Sequence, residues 1–536
     1  MSLRRFIFVF AFVFVVAGTI QGQQRGDVVV LYENDVHCAV DGYPVIAGLR
    51  DSLERMGCTV GVVSGGDFAF GGTLGAASKG EYIVRLMNAV GYDAVCVGNH
   101  EFDYGMSQLR RLDSLLAAPM LSCNFCNNGS GVSVMKGFVI SHYGNKTVAY
   151  VGVTTPSTIY TSSPVNFQNA EGEYIYNFSP NNLAENVQVW VNAAHAAHAD
   201  KVVLLTHMGD KDGQPTSVSL VEKLSGVDVV IDAHDHREIE RNVLKDKDKN
   251  NVLMTSTGTH FTKIGMLVIP ADGGDVYTRL LSVDTLLAHN CVSRQVEDTL
   301  NVIRMTHRAL GNRKVAECQQ DMIANTSDGM RICRLRETNL GDLVADAYRT
   351  VLGADIGWVN GGGLRANINA GKVTYNDLFA VQPYANELCV VEVSGQEILD
   401  ALETAVRALP KAEGCFPQVS GLSFIVDTSG RSWVQLDGNG KFRAVRGTRR
   451  VSDVRVQKGN SWVRLKPNKR YTIASSKYLL LNGGDALSFP TGKVIPTDPV
   501  TDTEVLEEYL TRYLGGTIGS SYAYPQQRLI YKRPRK

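Results

Sequence analysis

Val28-Val29-Val30-Leu31-Tyr32-Glu33-Asn34-Asp35-Val36-His37 is the stretch from which the rest of the chain can be read. Its first five residues form an unbroken apolar run, the pattern of a strand buried on both faces. The metal-competent side chains appear only where that run stops. The same arrangement returns four times. Val60-Gly61-Val62-Val63 leads to Gly65-Gly66-Asp67, and Ala94-Val95-Cys96-Val97 leads to Gly98-Asn99-His100-Glu101-Phe102-Asp103. Residues 202–205 lead to Thr206-His207, and Val229-Val230-Ile231 leads to His234-Asp235-His236. A further apolar run covers 148–153, and amphipathic stretches such as 81–90 and 182–198 fall between the runs. Buried strands alternating with helices predict an α/β layered domain, running to about Ala288. Open α/β sheets bind ligands at the carboxyl ends of their strands.

Each strand end alone is a weak signal, because a single His after a strand is more often a hydrogen-bonded structural residue. The set is another matter. In order, the five ends offer Asp35, His37, Asp67, Asn99, His207, His234 and His236. The i, i+2 spacing of Asp35 and His37, and again of His234 and His236, predicts paired side chains on one face of extended chain. The donors are imidazole and oxygen without thiolate, which suits zinc, manganese, cobalt or iron rather than calcium or a structural zinc. Seven ligands exceed one tetrahedral ion. They fit two divalent ions about 3.5–4 Å apart that share one carboxylate, with Asp67 on its Gly-Gly turn as the natural bridge. His100 follows the ligand Asn99, and Asp103 stands three residues on, where it can orient the imidazole as a catalytic pair. Asp103 as a mere helix cap is the plainer alternative. The remaining histidines lie at no matched strand end and read as structural or exposed. Among them His260, in Thr257-Gly258-Thr259-His260, is the one that could line the cleft.

The order Asp35-x-His37, Gly66-Asp67, Gly98-Asn99-His100-Glu101, His207, His234-x-His236 resembles the calcineurin-like metallophosphoesterases. That resemblance implies a four-layer fold, two sheets flanked by helices. It implies one metal on Asp35, His37, Asp67 and His236, and the other on Asp67, Asn99, His207 and His234. Ala233 stands where the general pattern usually has Gly. The run from Asn99 to Asp103 matches the 5'-nucleotidase form of the motif.

Asp298 to Leu310 reads as a polar connector helix inside a linking segment 289–315, and a second, smaller α+β domain is expected over 316–530. Asn339 is placed to cap a helix whose apolar face is Leu343, Val344, Ala347 and Val351. This half carries Arg334-Leu335-Arg336-Glu337-Thr338-Asn339, Asn360-Gly361-Gly362-Gly363-Leu364-Arg365, Gln382-Pro383-Tyr384, Phe416-Pro417-Gln418 and Asn482-Gly483-Gly484-Asp485. Arginine offers a planar fork to phosphate, a glycine triplet can expose backbone N–H groups, and aromatic rings stack on bases. Each feature alone is as readily a turn, a surface ion pair or a core residue. In this order, after the first domain, they resemble the substrate-binding domain of 5'-nucleotidases and UDP-sugar hydrolases. The resemblance implies a site between the domains, reached by domain rotation. It implies phosphate contacts from Arg334 and Arg365 near Gly362 and Gly363. It implies nucleoside positioning by Asn360, base stacking by Phe416, and a pocket shaped by Asp485 with Tyr384 on its wall. Leu479 stands where relatives carry a second stacking Phe, so either the neighbouring Tyr478 stacks or one face is aliphatic.

Arg4 and Arg5 followed by the apolar run 6–16 and the small residues Ala17 and Gly18 read as a secretory signal cut near Gly22. The expectation is an exported protein, periplasmic or extracellular, with no membrane anchor after cleavage. The basic end Tyr531-Lys532-Arg533-Pro534-Arg535-Lys536 lacks the apolar tail of a lipid-anchor signal. The 54 Lys and Arg residues balance 54 Asp and Glu, so no general field recruits a nucleic acid polymer or an anionic membrane. Ten cysteines permit disulfides in an oxidising compartment, and Cys123 and Cys126 read as a local disulfide or two unpaired thiols. The expected reaction is release of phosphate from nucleoside 5'-monophosphates, with nucleoside diphosphates or UDP-sugars as further substrates. The alternatives are a 2',3'-cyclic nucleotide phosphodiesterase or thiosulfate-ester hydrolase on the same scaffold, and an inactive nucleotide-binding protein.

Overall fold

A computed structural model describes residues 23–532 apart from 163, 170, 171, 180, 211–214, 385, 439, 482 and 499. The signal segment 1–22, Asn482 and the basic tail 533–536 lie outside the described residues. The chain divides into two compact units at His307/Arg308, within the helix Arg294–Gly311. Val296, Leu300 and Ile303 of that helix are buried in the core of the first unit.

The first unit holds two six-stranded sheets. In one, Val28–Glu33, Thr59–Ser64, Ala94–Cys96 and Met120–Leu121 run parallel, and Lys263–Ile269 and Tyr277–Ser282 close the other edge antiparallel. In the other, Asn251–Thr257, Val229–Ile231, Lys201–His207 and Lys146–Thr154 are parallel, with an antiparallel strand at each edge. Strand alternation then builds the layers. Val28, Val30 and Tyr32 pack with Val203, Leu205, Val229 and Ile231 between the sheets. Val29 and Leu31 face the other way, against the helices Gly42–Arg55 and Glu81–Val90. On the second sheet Val202, Leu204 and Val230 pack on the helix Leu183–Ala196. The result is helix, sheet, sheet, helix. Both faces of each sheet are covered, which is why the parallel strands read as continuous apolar runs. All five ligand-bearing segments leave parallel strands at their carboxyl ends.

The second unit is built on a mixed five-stranded sheet in the order Pro417–Ser420, Ile356–Asn360, Arg470–Ser476, Leu388–Ser394, Lys493–Ile495. A four-stranded sheet accompanies it. The helix Asn339–Val351 carries Leu343, Val344 and Ala347 into the core. Its cap is Thr338, whose hydroxyl accepts from Gly341 N–H at 3.1 Å, so the expected cap at Asn339 is corrected by one residue. The Asn339 amide instead ties the helix start to other segments, accepting from Ile323 N–H at 2.8 Å and donating to Asp321 O at 2.9 Å. All ten cysteines are buried, unpaired thiols; of the two readings of Cys123 and Cys126, unpaired thiols is the one found. Among the described residues no helix is long and apolar enough to cross a membrane.

Candidate active site

The strand-end loops bring the candidate ligands together, by a different geometry from the one their spacing suggests. Asp35, His37, Asp67, His234 and His236 all have positive φ, between 45° and 86°. The i, i+2 pairs are therefore not extended. Left-handed backbone at non-glycine residues is strained, and it persists where the surroundings over-determine it. Here Asp35 N–H donates to Gly66 O at 2.9 Å and His37 N–H to Asp67 O at 3.0 Å. The first two loops thus hold each other bent. At Gly98 a Cβ would stand 2.1 Å from Asp67 Oδ1, so only glycine lets the third loop close on that carboxylate.

The donor atoms of Asp35, Asp67 and His207 lie within 4.8 Å of one another, and so do those of Asp35, His37 and His236. Asp35 is wholly buried and its Oδ1 has no hydrogen-bond partner. That atom stands 3.5 Å from His236 Nε2, 3.9 Å from His207 Nε2 and 4.0 Å from His37 Nε2. His37 Nδ1 lies 3.2 Å from Phe70 O and His207 Nδ1 lies 2.9 Å from Gly65 O. A carbonyl can only accept, so both rings donate at Nδ1 and, when neutral, turn Nε2 lone pairs inward. His37 Nε2 faces His236 Nε2 at 3.0 Å. Asn99 Oδ1 lies 2.9 Å from His234 Nδ1. Buried carboxylates and converging imidazoles without other partners are what a cation site requires, and these residues fit a pair of divalent ions.

The electrostatics agree. Burial lifts the Asp35 carboxyl above its ordinary range, against the pull of His207. Burial acts the same way on Asp67, but His207 outweighs it and holds that carboxyl far below the usual range. Burial would discharge His207, yet the Asp67 carboxylate, 3.1 Å away, pushes the imidazole up to about 10. The centre demands positive charge. Burial lowers His37 to about 4, and burial with the His207 charge lowers His234 to about 4, which keeps both rings neutral as ligands need.

His100 sits at the rim. Its Nδ1 is 2.6 Å from Asp103 Oδ2, and Asp103 Oδ1 accepts from the Ser162 hydroxyl at 2.9 Å. The ring stacks on Phe70, centroids 5.3 Å apart and planes 8° from parallel. Burial opposes charge on His100, but the hydrogen bond to Asp103 and the Asp67 carboxylate outweigh it and push the imidazole up to about 9.

Three supporting residues carry no sequence signal for their role. Glu101 is fully buried and its carboxylate accepts four backbone N–H groups, from Asp67, Phe68, Ala69 and Gly98, at 2.7–3.0 Å. It fixes the second loop against the third. Asn34 donates to Asp35 Oδ2 at 2.7 Å and to Gly258 O at 2.9 Å. Asp232 accepts from Thr206, beside His207, at 2.7 Å and from Ser217 at 2.6 Å. Glu101→Gln can keep one accepting oxygen but strands two donors. Unpaired buried donors cost about 1–3 kcal/mol each, so the variant is expected to lose about 2–6 kcal/mol of stability in a denaturant titration of the first unit's transition.

In the second unit, Arg331, Arg334 and Arg365 lie in one another's field. Burial and the charges of Arg365 and Arg334 lower the pKa of Arg331, and Arg334 Nε is buried without a partner. Among the described residues none of the three forms an ion pair. Arg331 carries no signal in the sequence; three residues before Arg334, its position alone does not distinguish it from a surface cation. Arg365 lies over the Tyr384 ring, 5.5 Å from its centroid. Asn360 Nδ2 donates to Asp485 Oδ2 at 2.6 Å, and the Tyr478 hydroxyl reaches Asp485 Oδ1 at 3.4 Å.

Two expectations for this region are corrected, and the exposure of Tyr478 and Leu479 bears on an alternative left open. The N–H groups of Gly361, Gly362 and Gly363 are not free; they donate to Phe416 O, Gly414 O and Asn360 O. The triplet serves close backbone approach instead, since a Cβ on Gly361 would meet Cys333 O at 2.2 Å. Phe416 is 1% exposed, in one apolar cluster with Val419 and Leu487, so its ring offers no free face to a base. Leu479 is buried in the same cluster, whereas Tyr478 is 47% exposed. Tyr478, not Leu479, presents a ring. Its position depends on Gly484, where a Cβ would lie 2.5 Å from the ring.

Known proteins resemble this chain in sequence and fold. The family model for calcineurin-like phosphoesterases matches residues 29–238, and that for the C-terminal domain of 5'-nucleotidases matches 314–492. A 5'-nucleotidase of Vibrio parahaemolyticus is 25% identical, over 87% of this chain and 84% of its own. Protein UshA of Yersinia enterocolitica is also 25% identical, over 91% and 89%. The crystal structure of a 5'-nucleotidase precursor from Thermus thermophilus superimposes with a TM-score of 0.52 at 23% identity, covering 95% of this chain and 100% of that one. At that identity the superposition speaks for the fold.

Proposed function

Because this chain belongs to the 5'-nucleotidase family of metal-dependent phosphoester hydrolases, a calcineurin-like phosphoesterase domain followed by a 5'-nucleotidase C-terminal domain, we propose that it is an exported enzyme releasing phosphate from nucleoside 5'-monophosphates. The observation that carries the reading is the buried Asp35 Oδ1, without a partner among three imidazoles and close to the Asp67–His207 pair, with the His100–Asp103 pair at the rim. Asp35, His37, Asp67 and His236 would hold one divalent ion, and Asp67, Asn99, His207 and His234 the other. A bound pair of such ions supplies positive charge to the phosphoryl oxygens and makes water nucleophilic at neutral pH. Asp103 fixes the Nδ1–H of His100 and leaves Nε2 to give a proton to the departing sugar oxygen. Export rests on the amino-terminal sequence alone.

On the substrate side, Arg334 and Arg365 are forks for the nucleotide's anionic groups, and Asn360, held by Asp485, positions the nucleoside. Tyr478 supplies the ring for the base. A charge-assisted hydrogen bond is worth about 1.5–3 kcal/mol. Arg365→Ala is therefore expected to raise KM for AMP by about tenfold or more while leaving kcat nearly unchanged. Phosphate release from AMP, UMP and ADP, with coupled assays for UDP-glucose and 2',3'-cyclic AMP, tests the substrate class. Turnover fastest on AMP or UMP supports it. Turnover of the cyclic nucleotide alone would make the protein a phosphodiesterase instead.

A further inference from the structure

The loop after the strand Asn251–Thr257 brings another imidazole to the centre. His260 N–H donates to Asp35 O at 3.0 Å, and the Thr259 hydroxyl donates to the same carbonyl at 2.8 Å. His260 and Phe261 are consecutive residues at φ +54°. Such a pair is strained, and the surroundings hold it. Phe261 is buried edge-on against Tyr43, centroids 4.9 Å apart, over Gly42, where a Cβ would meet its ring at 2.1 Å. The strain sets the imidazole of His260 beside that of His37, centroids 5.6 Å apart.

The hydrogen bonds also fix which nitrogen is available. Thr259 Oγ1 lies 2.8 Å from His260 Nδ1. Its single hydrogen is already given to Asp35 O, so towards the ring it can only accept, and Nδ1 must carry the proton. His260 is an exposed residue, and among the described residues its Nε2 has no hydrogen-bond partner. His260 is also outside the groups of donor atoms that converge within 4.8 Å, so it is not placed as a metal ligand. It stands next to the ligand set with a tautomer imposed on it.

We propose that His260 is a further phosphoryl-contacting residue, meeting the phosphate group of the bound substrate through Nε2; this rests on the phosphoesterase reading of the same centre. A phosphate monoester's second ionisation lies at about pH 6, so its monoanion and its dianion both occur around neutrality. The monoanion can donate its hydroxyl to the Nε2 lone pair that the Thr259 contact leaves free. The arrangement divides the work around His37: His100, oriented by Asp103, serves the leaving oxygen, and His260, oriented by Thr259, holds the phosphoryl group.

The test uses the full chain loaded with manganese or zinc, with inorganic phosphate as the probe. His260→Ala is expected to keep two metals per chain while phosphate affinity falls, and KM for AMP rises, by about tenfold. His260→Gln, whose amide reaches the position of Nε2, is expected to recover most of the loss, whereas His260→Asn, which reaches only that of Nδ1, is not. Unchanged phosphate affinity in His260→Ala would overturn the proposal. So would loss of metal in that variant, or rescue by Asn rather than Gln, because either would confine the residue to supporting Thr259 and Asp35. A wild-type protein that neither binds phosphate nor hydrolyses any phosphoester would overturn the phosphoesterase reading first, and is distinguishable from all of these.

Discussion

Asp67→Ala is expected to lose bound metal and phosphate release together, with turnover reduced about 1000-fold or more. Asp67 belongs to two groups of converging donor atoms, one with Asp35 and His207 and one with His37 and His100. Its Oδ2 is 3.1 Å from His207 Nε2, and its other oxygen accepts from His100 N–H at 2.9 Å. Removing the carboxylate takes a ligand from both proposed ions at once. The charge stabilisation that goes with them is several kcal/mol, and each ~1.4 kcal/mol is a factor of ten in rate. Asp67→Asn separates chemistry from folding. It keeps an oxygen for His100 N–H and removes the charge, so it should fold normally and still bind metal poorly. Elemental analysis finding two ions in Asp67→Ala would rule out the bridging role.

His100→Ala should behave in the opposite way towards metal. The ring is outside the proposed ligand set, so two ions should remain while kcat falls by roughly 100- to 10,000-fold, the usual contribution of a positioned proton donor. Asp103→Asn keeps the shape and a hydrogen-bonding group but removes the charge that orients the ring, and should fall between that variant and the wild type. Loss of metal in His100→Ala would mean that the ring is itself a ligand. Full turnover with both ions present would remove it from the reaction.

The proposed ligand set can be picked out in the sequence because its members follow buried apolar runs, and the parallel strands of the two sheets carry them at their carboxyl ends. The local geometry is not. Asp35-x-His37 reads as extended chain, but the pair is bent left-handed by bonds to Gly66 and Asp67, 31 and 30 residues further on. Glu101 can be seen in its motif without its task, since a carboxylate that accepts four N–H groups is written no differently from one in solvent. His260 gives little signal because its strand ends in Thr-Gly-Thr, and its place beside His37 comes from the Asp35 carbonyl and the packing of Phe261. In the second unit the identities of Phe416 and Leu479 suggest roles that burial removes. Which of two adjacent residues, Tyr478 or Leu479, turns inward is decided by the cluster around them, not by either residue's own preference.

In the proposed reaction the chain hydrolyses nucleotide phosphoesters with two divalent ions held by the seven strand-end residues. The most direct test measures metal content and phosphate release from AMP on the same sample, before chelation, after it, and after manganese or zinc is returned. Two ions per chain are expected, with phosphate release lost as they are removed and recovered on their return. Phosphate release that persists in the fully chelated protein would contradict the proposed reaction.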